Sequence, residues 1–252
     1  MNTERTLPAL EIDIDPRNPG QFYACCGLLE LAHWIWGTEA RGWFRENRFC
    51  LHVESQSPGV IDGELLACLK DMTFVAQNDD SGSPIVVHLG DGREYRLDWW
   101  TKQIYWHGSL RTWGRGTSYN LIAESHRECL GITELVSGFT RTAKMTSRLS
   151  VDPRASWTAL DAGFSPNDQN FTVSTFPLVE FLAGIGLQRN RPSPLKKLYW
   201  HYTLWSTPVP SVLVPTVKYM LPRSDTTVYL FEIASRGQMA RYFTPAIQGE
   251  HA

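Results

Sequence analysis

The sequence predicts an α+β fold, in which helices alternate with strands of a mixed or antiparallel sheet along a chain of 252 residues. Three observations support this prediction. The chain opens with a strand pattern that leads directly into a helical one, and a hairpin signal lies near residue 90. The most apolar helical segment, 177–187, is followed by further strand patterns.

The first third of the chain alternates strand and helix signals. Residues 10–14 alternate apolar and acidic side chains, which is typical of a half-buried strand. Asn18 precedes Pro19, the usual order of an N-cap and a first helical residue, and apolar residues then recur at helical spacing as far as Trp36. Residues 49–53 alternate again and predict a second strand.

The middle of the chain has a hairpin and then an irregular region. Residues 63–72 predict a short helix. The segments 84–89 and 94–99 flank Gly-Asp-Gly-Arg, which predicts a hairpin because glycine adopts a positive φ without strain. The pattern becomes irregular from Trp100, and a helical pattern returns over 118–136.

The last third returns to regular patterns. Residues 177–187 predict an apolar helix, and 198–205 predict a strand that is covered on both faces. Residues 211–220 predict a weaker helix because Pro215 interrupts it, and 226–233 predict a final strand before a polar tail. We therefore expect one domain, 1–252, with a loop-rich basic insertion at about 100–176.

Composition excludes few classes of protein. The net charge of −2 indicates neither a basic nor an acidic partner, and the five cysteines show no CxxC spacing, so we expect no disulfide framework, zinc site or other cofactor. No apolar run approaches the ~20 residues that span a bilayer. The N-terminal residues lack the basic and apolar regions of a signal peptide, so we expect a cytoplasmic protein without a membrane partner.

The local distribution of charge is more informative than the total. Residues 181–224 contain no Asp or Glu, but they combine basic residues with Trp and Tyr. A phosphate backbone favours such a segment because each cationic contact releases condensed counterions, and aromatic rings can stack on bases. A core-rich segment with a few solvated cations at loop ends explains the residues equally well. The basic residues of interest are Arg189, Arg191, Lys196, Lys197, Lys218 and Arg223.

A second basic region lies in the irregular middle of the chain, where glycines, aromatic residues and hydroxyl side chains accompany the cations. Glycine allows a backbone to approach a ligand closely, and spaced arginines can bind phosphates with two hydrogen bonds each. The alternative is a surface loop that is charged for solubility. The candidate residues are Arg111, Arg115, Arg141, Lys144 and Arg148.

Catalytic motifs are absent from the sequence. It contains no P-loop, HExxH, GxSxG or paired metal-ligand spacing, and Asp152, Asp161 and Asp168 have no metal spacing either. His107 or His201 could serve as a general base on an RNA 2′-hydroxyl, because imidazole titrates near neutrality. A lone histidine beside aromatic residues is more often structural, so we expect no catalytic residue and leave the enzymatic alternative open.

Several stretches of the chain are long and unusual in sequence. They are NPGQFYACCGLLELA (18–32), LDAGFS (160–165), VEFLAGIGLQRNRP (179–192), Trp205 with Pro208 and Pro210, and FEIASRGQMAR (231–241). These stretches resemble a protein family encoded in type I-U (also called I-G) CRISPR–Cas loci. The similarity covers both ends of the chain and most of its second half, whereas residues 41–102 contribute little.

The resemblance implies a subunit of Cascade, the crRNA-guided ribonucleoprotein of antiviral defence. It implies either a RAMP-type subunit with an RRM-like (ferredoxin-like) βαββαβ core or a large-subunit-like protein that contacts the PAM and the crRNA 5′ end. The opening strand and helix suit the first role and the basic middle suits the second. The resemblance implies no catalytic site.

We therefore expect a non-catalytic subunit that binds crRNA, target DNA or both, and that contacts other subunits of the complex through exposed aromatic residues. Two alternatives remain: a metal-independent repeat endoribonuclease that uses His107 or His201, and a Trp-rich carbohydrate-binding module. The expected nucleic-acid contacts are Arg111, Arg115, Arg141, Lys144, Arg148, Arg189, Arg191, Lys196 and Lys197.

Overall fold

The structure, a computed structural model, describes residues 6–78, 83–101, 110–113, 118–146, 148–155, 174–196, 199–236 and 240–249. In these ranges the fold is α+β, as predicted: it has six α-helices, and thirteen strands that all pair in antiparallel fashion. None of the described helices is long and apolar enough to cross a membrane.

The first sheet is built by the opening of the chain, and its order is β1-β3-β2. Asn18 caps the first helix as predicted, because its side-chain oxygen accepts a hydrogen bond from Gln21 N at 3.1 Å. The strand at Ala40–Arg45 was not predicted from the sequence, whereas the one predicted over 49–53 is present. The elements are β1 (Leu10–Asp13), α1 (Pro19–Trp36), β2 (Ala40–Arg45), β3 (Arg48–Val53) and α2 (Pro58–Asp71).

A second sheet follows, with strands β4 (Thr73–Ala76), β5 (Ile85–His88) and β6 (Glu94–Leu97) in sequential order. The predicted hairpin joins β5 and β6, and Gly92 has the positive φ of 85° that the turn needs. A complete βαββαβ core would place its fourth strand beside β1. Here β4 pairs with β5 instead, so the RRM-like core stays a prediction.

The middle of the described chain contains two helices and a short ladder. The single helix predicted over 118–136 is two helices, α3 (Ser118–Cys129) and α4 (Leu135–Gly138), with a turn between them. Two-residue strands β7 (Ala143–Lys144) and β8 (Ser174–Thr175) pair with each other, although they are far apart along the chain.

The last third forms helix α5 and a five-stranded sheet of order β12-β11-β10-β9, with β13 also paired to β11. The polar tail that the sequence predicts after the final strand contributes two further strands, β12 and β13. A 3₁₀ helix at Ser211–Thr216 precedes the short helix α6. The elements are α5 (Pro177–Arg189), β9 (Ser193–Lys196), β10 (Tyr199–Trp205), α6 (Val217–Met220), β11 (Thr226–Arg236), β12 (Ala240–Phe243) and β13 (Ile247–Gln248).

The core is organised around the crossing of α1 and α5. Gly27 and Gly186 lie at the crossing: a Cβ on Gly27 would stand 1.9 Å from Leu182 O, and one on Gly186 would stand 2.0 Å from Tyr23 O. Both helices are buried on almost every side. They therefore form the centre of the molecule rather than one layer of its surface.

The N-terminal and C-terminal sheets meet through β2 and β10. Trp205 Nε1 donates a hydrogen bond to Gly42 O at 2.7 Å, and Gly42 and Val209 exchange backbone hydrogen bonds of 2.9 and 3.1 Å. Seven tryptophans are buried in the described residues, so much of the aromatic excess belongs to the core. They are Trp34, Trp43, Trp99, Trp100, Trp113, Trp200 and Trp205.

Candidate functional site: a small cationic pocket

Arg189, one of the expected phosphate contacts, is paired inside the protein. Its Nε and Nη2 donate to the two carboxylate oxygens of Glu30 at 2.6 and 2.7 Å, and the Glu30 side chain is only 6% exposed. Trp34 Nε1 and the Ser211 hydroxyl donate to the same carboxylate. Burial raises the pKa of Glu30, but these partners together lower it, so the carboxylate is ionised and neutralises Arg189.

Arg191, two residues later, is less completely paired. Its Nη2 lies 3.7 Å from Asp98 Oδ1, beyond hydrogen-bond distance, while Arg96 Nε and Gln188 Nε2 contact the same carboxylate at 3.1 and 3.0 Å. Asp98 is therefore shared between two arginines. Arg191 Nε is buried and makes no hydrogen bond to any described residue.

The other expected contacts fall in several places. Arg141 and Lys144 are exposed, and Arg111 is half-buried. Arg148 is half-buried; burial lowers its pKa, whereas the charge of Glu180 raises it. Glu180, the neighbour of Arg148, lies near the start of α5, whereas Arg189 lies at its end, nine residues or about 14 Å away. The structure therefore does not gather all the cations at one place. Arg115, Lys197 and the side chain of Lys196 lie outside what the structure describes.

A small pocket lies at the C-terminal end of α5, and we call it the cationic pocket. Its volume is about 50 Å³, and Phe22, Tyr202, Val214 and Val217 supply apolar parts of its wall. None of the described residues that line it is Asp or Glu. Its polar lining includes Tyr23, Asn190, Arg191, Ser193, His201 and Lys218.

Three side chains of the cationic pocket carry buried polar atoms without a hydrogen-bond partner among the described residues. These atoms are the Tyr23 hydroxyl, both amide atoms of Asn190 and Arg191 Nε. Tyr23 is 0% exposed and Asn190 is 6% exposed. An unsatisfied buried polar atom costs about 1–3 kcal/mol, so proteins rarely leave several around one pocket unless another molecule satisfies them.

Lys218 and His201 complete the polar lining. Lys218 Nζ donates to Ser193 Oγ at 2.8 Å and thus retains donors for a ligand. Burial, and to a lesser degree the charge of Lys218, lower the pKa of His201. The imidazole is therefore neutral at pH 7, and the positive charge of the pocket comes from Lys218 and Arg191.

The sequence indicates part of this pocket but not all of it. Arg191, Lys218 and His201 lie in the acid-free segment. Tyr23 and Asn190 were not singled out, because an aromatic residue in an apolar helix and an asparagine after a helix look like ordinary core and cap residues. Only the fold reveals that their polar atoms lack partners.

The carboxylates considered as metal ligands are structural where they are described. Asp152 is buried, accepts a hydrogen bond from Asn18 Nδ2 at 2.8 Å and pairs with Arg154 at 2.6 Å. No group of three or more His, Cys, Asp and Glu side chains in the described ranges is placed to hold a metal ion. Asp161, Asp168 and His107 lie outside those ranges.

Comparison with known proteins adds no relative: family models, curated proteins and solved structures all returned no match to this chain.

Proposed function

We propose that this protein binds a nucleic-acid strand, crRNA or target DNA, as a non-catalytic subunit of a crRNA-guided type I CRISPR effector complex. The resemblance of its sequence motifs suggests the complex. The observation that carries the binding proposal is the cationic pocket: Arg191 and Lys218 line it, and no carboxylate among the described residues does. A carboxylate there would repel a phosphate.

The proposal assigns different roles to the basic residues. Lys218 acts as a point charge on phosphate, and Arg191 donates through its partly unpaired guanidinium. Arg141 and Lys144 are exposed, and we propose that they contact further phosphates of the nucleic-acid strand. Arg189 has no role in phosphate binding in this proposal, because its guanidinium already donates two hydrogen bonds to the carboxylate of Glu30. Base pairing, rather than these residues, would read the sequence.

The test is the salt dependence of binding to a single-stranded RNA of the repeat sequence. Each phosphate contact on a single strand contributes about 0.7 to the slope of log K against log[salt]. We expect Lys218→Met to flatten the slope by about 0.7, and Arg191→Met with Lys218→Met to flatten it by about 1.4. Fluorescence anisotropy at several salt concentrations measures both slopes.

The matched control is Lys70→Met, which removes an exposed lysine from α2, an element that does not line the cationic pocket. We expect it to leave the slope unchanged. An equal change in the Lys70 and Lys218 variants would mean that only net charge matters. Wild-type protein with no salt-dependent affinity for RNA or single-stranded DNA would contradict the proposal.

One observation favours a second candidate, the metal-independent endoribonuclease. His201 lines the cationic pocket as a neutral imidazole, the form that can accept a proton from a 2′-hydroxyl, and Lys218 is close enough to lower its pKa. Incubation of the protein with repeat RNA in EDTA distinguishes the two functions. Specific cleavage that is lost in His201→Ala would establish the enzyme, and intact RNA with retained binding would support the non-catalytic subunit.

The carbohydrate-binding alternative has no such support. It expects aromatic rings coplanar on an exposed face. The buried tryptophans named above belong to the core, and Trp36 is packed against it.

A further inference from the structure

The size of the cationic pocket limits what can enter it. One water molecule needs roughly 10–15 Å³ of cavity volume. The cationic pocket, at about 50 Å³, therefore has room for roughly three to five atoms of the size of a water oxygen. A tetrahedral oxyanion has this size, whereas a nucleobase with its sugar does not. The pocket therefore suits one small anionic group of a strand, whose base and sugar stay outside it.

The polar atoms around the pocket suit an oxyanion as well. The Tyr23 hydroxyl, Asn190 Nδ2 and Arg191 Nε are buried donors without partners among the described residues, and Lys218 adds an ammonium group. An oxyanion accepts several hydrogen bonds at once, and bonds to a charged acceptor are about twice as strong as neutral ones. Water could satisfy the same donors, but it would leave the Lys218 ammonium group without an anionic partner among the described residues, since Asp98 lies only near Arg191.

We infer that the cationic pocket binds a terminal phosphate, a phosphomonoester at one end of a nucleic-acid strand, with Tyr23, Asn190, Arg191 and Lys218 as its ligands. This inference rests on the proposed function, since it names the part of the strand that this site takes. A terminal phosphate is bonded to one nucleoside, so only one chain end has to reach the mouth of the pocket. An internal phosphodiester is bonded to two nucleosides, so the strand would have to enter the pocket and leave it again. A monoester also carries about −1.5 to −2 charges at pH 7, which matches the two cations.

The experiment compares RNA oligonucleotides of one sequence that end in a 5′-phosphate, a 3′-phosphate or hydroxyls only. We expect the protein to bind one of the two phosphate-ended strands about tenfold more tightly than the hydroxyl-ended strand, the gain of about one charge-assisted hydrogen bond. The strand that is preferred identifies the end. Fluorescence anisotropy at a fixed salt concentration measures all three affinities.

The decisive variant is Tyr23→Phe, which removes only the unpartnered hydroxyl. We expect it to reduce the tenfold preference severalfold, while the melting temperature stays equal or rises because no hydrogen bond of the fold is lost. The matched control is Tyr119→Phe, which removes the hydroxyl of an exposed tyrosine on α3, a helix that does not line the cationic pocket. That variant should leave both the melting temperature and the preference for phosphate unchanged.

The outcomes separate the inference from the proposed function. Equal, salt-dependent binding of all three strands would overturn the inference and leave the proposed function standing. A preference for phosphate that survives Tyr23→Phe would place the terminal phosphate elsewhere and overturn the assignment to the cationic pocket. Absence of binding to any strand would overturn the proposed function, and the inference with it.

Discussion

At the scale of single residues, the most unusual group is the carboxyl of Glu180. It is completely buried at the start of α5, and its Oε2 has no partner among the described residues. Burial, and next the charge of Asp152, raise its pKa to about 7, although the charge of Arg148 and hydrogen bonds from the backbone of Asp152 and Leu149 oppose the shift. The folded protein therefore carries Glu180 substantially protonated near neutral pH.

This shift predicts how stability depends on pH. The pKa of Glu180 is about 7 in the folded state and 4.5 ordinarily, so between these values the folded state holds a proton that the unfolded state releases. The contribution of Glu180 to the free energy of unfolding is therefore fully present below about pH 4.5. It decreases by about 3 kcal/mol as the pH rises through 7. Glu180→Gln should abolish this contribution, as urea unfolding at pH 5 and pH 8 would measure.

Glu30 provides a contrast for the same measurement. Its pKa is lowered from the ordinary 4.5, so its contribution is present above that value and is lost as the pH falls below it. Glu30→Gln should therefore destabilise the protein most at neutral pH, the opposite of Glu180→Gln. If the difference in stability between wild type and Glu180→Gln does not change with pH, the buried carboxyl is not the titrating group.

At the scale of elements, the close crossing of α1 and α5 depends on two glycines. The backbones approach so closely that a single Cβ on Gly27 would overlap the carbonyl of Leu182. Gly63 offers the matched comparison, because it is an exposed glycine of a helix, α2, and its Cβ would meet nothing within 4 Å. Alanine at Gly63 therefore tests helix propensity alone, whereas alanine at Gly27 also tests the packing of α1 against α5.

Gly27→Ala should therefore destabilise the protein by about 3 kcal/mol or more, since one helix must move away from the other. Gly63→Ala should instead stabilise it by about 0.5–1 kcal/mol, because alanine loses less backbone entropy in a helix. Urea unfolding of the two variants beside the wild type measures both effects. A neutral Gly27→Ala would mean that the helices are further apart than the structure places them.

The sequence predicted elements well where periodicity was strong and boundaries were marked. The helix that begins at Pro19, the hairpin around Gly92 and the helix that begins at Pro177 are confirmed. Strand β2 was missed because its residues, Ala40–Arg45, are buried on both faces in the middle and show no alternation. The strands of the tail were missed because β12 and β13 are short and gain their hydrogen bonds from β11.

At the scale of the whole molecule, the candidate site was only partly predictable. The acid-free segment contains Arg191 and Lys218, which the fold brings to one pocket. It gave no means to distinguish Arg189 from Arg191, which are two residues apart. Their difference is set by Glu30 and Asp98, carboxylates about 159 and 93 positions away along the chain that the fold brings to them.

The two ends of the chain are joined through many contacts. The Tyr202 hydroxyl donates to Pro16 O, Trp205 Nε1 donates to Gly42 O, and Ala246 N donates to Arg17 O at 2.6 Å. Helix α1 belongs to the N-terminal half and α5 to the C-terminal half, and each buries its apolar side chains against the other. Neither half has a separate core among the described residues.

We therefore predict that the described α+β body unfolds in one cooperative transition. Far-UV circular dichroism follows the helices of both halves, and tryptophan fluorescence follows the tryptophans of both halves, among them Trp43 in β2 and Trp205 in β10. The two signals should share one midpoint in urea, and Gly27→Ala should lower both midpoints equally, because the helix crossing connects the halves. Separate midpoints, or a Gly27→Ala shift in one signal alone, would indicate two independent domains and contradict the single core.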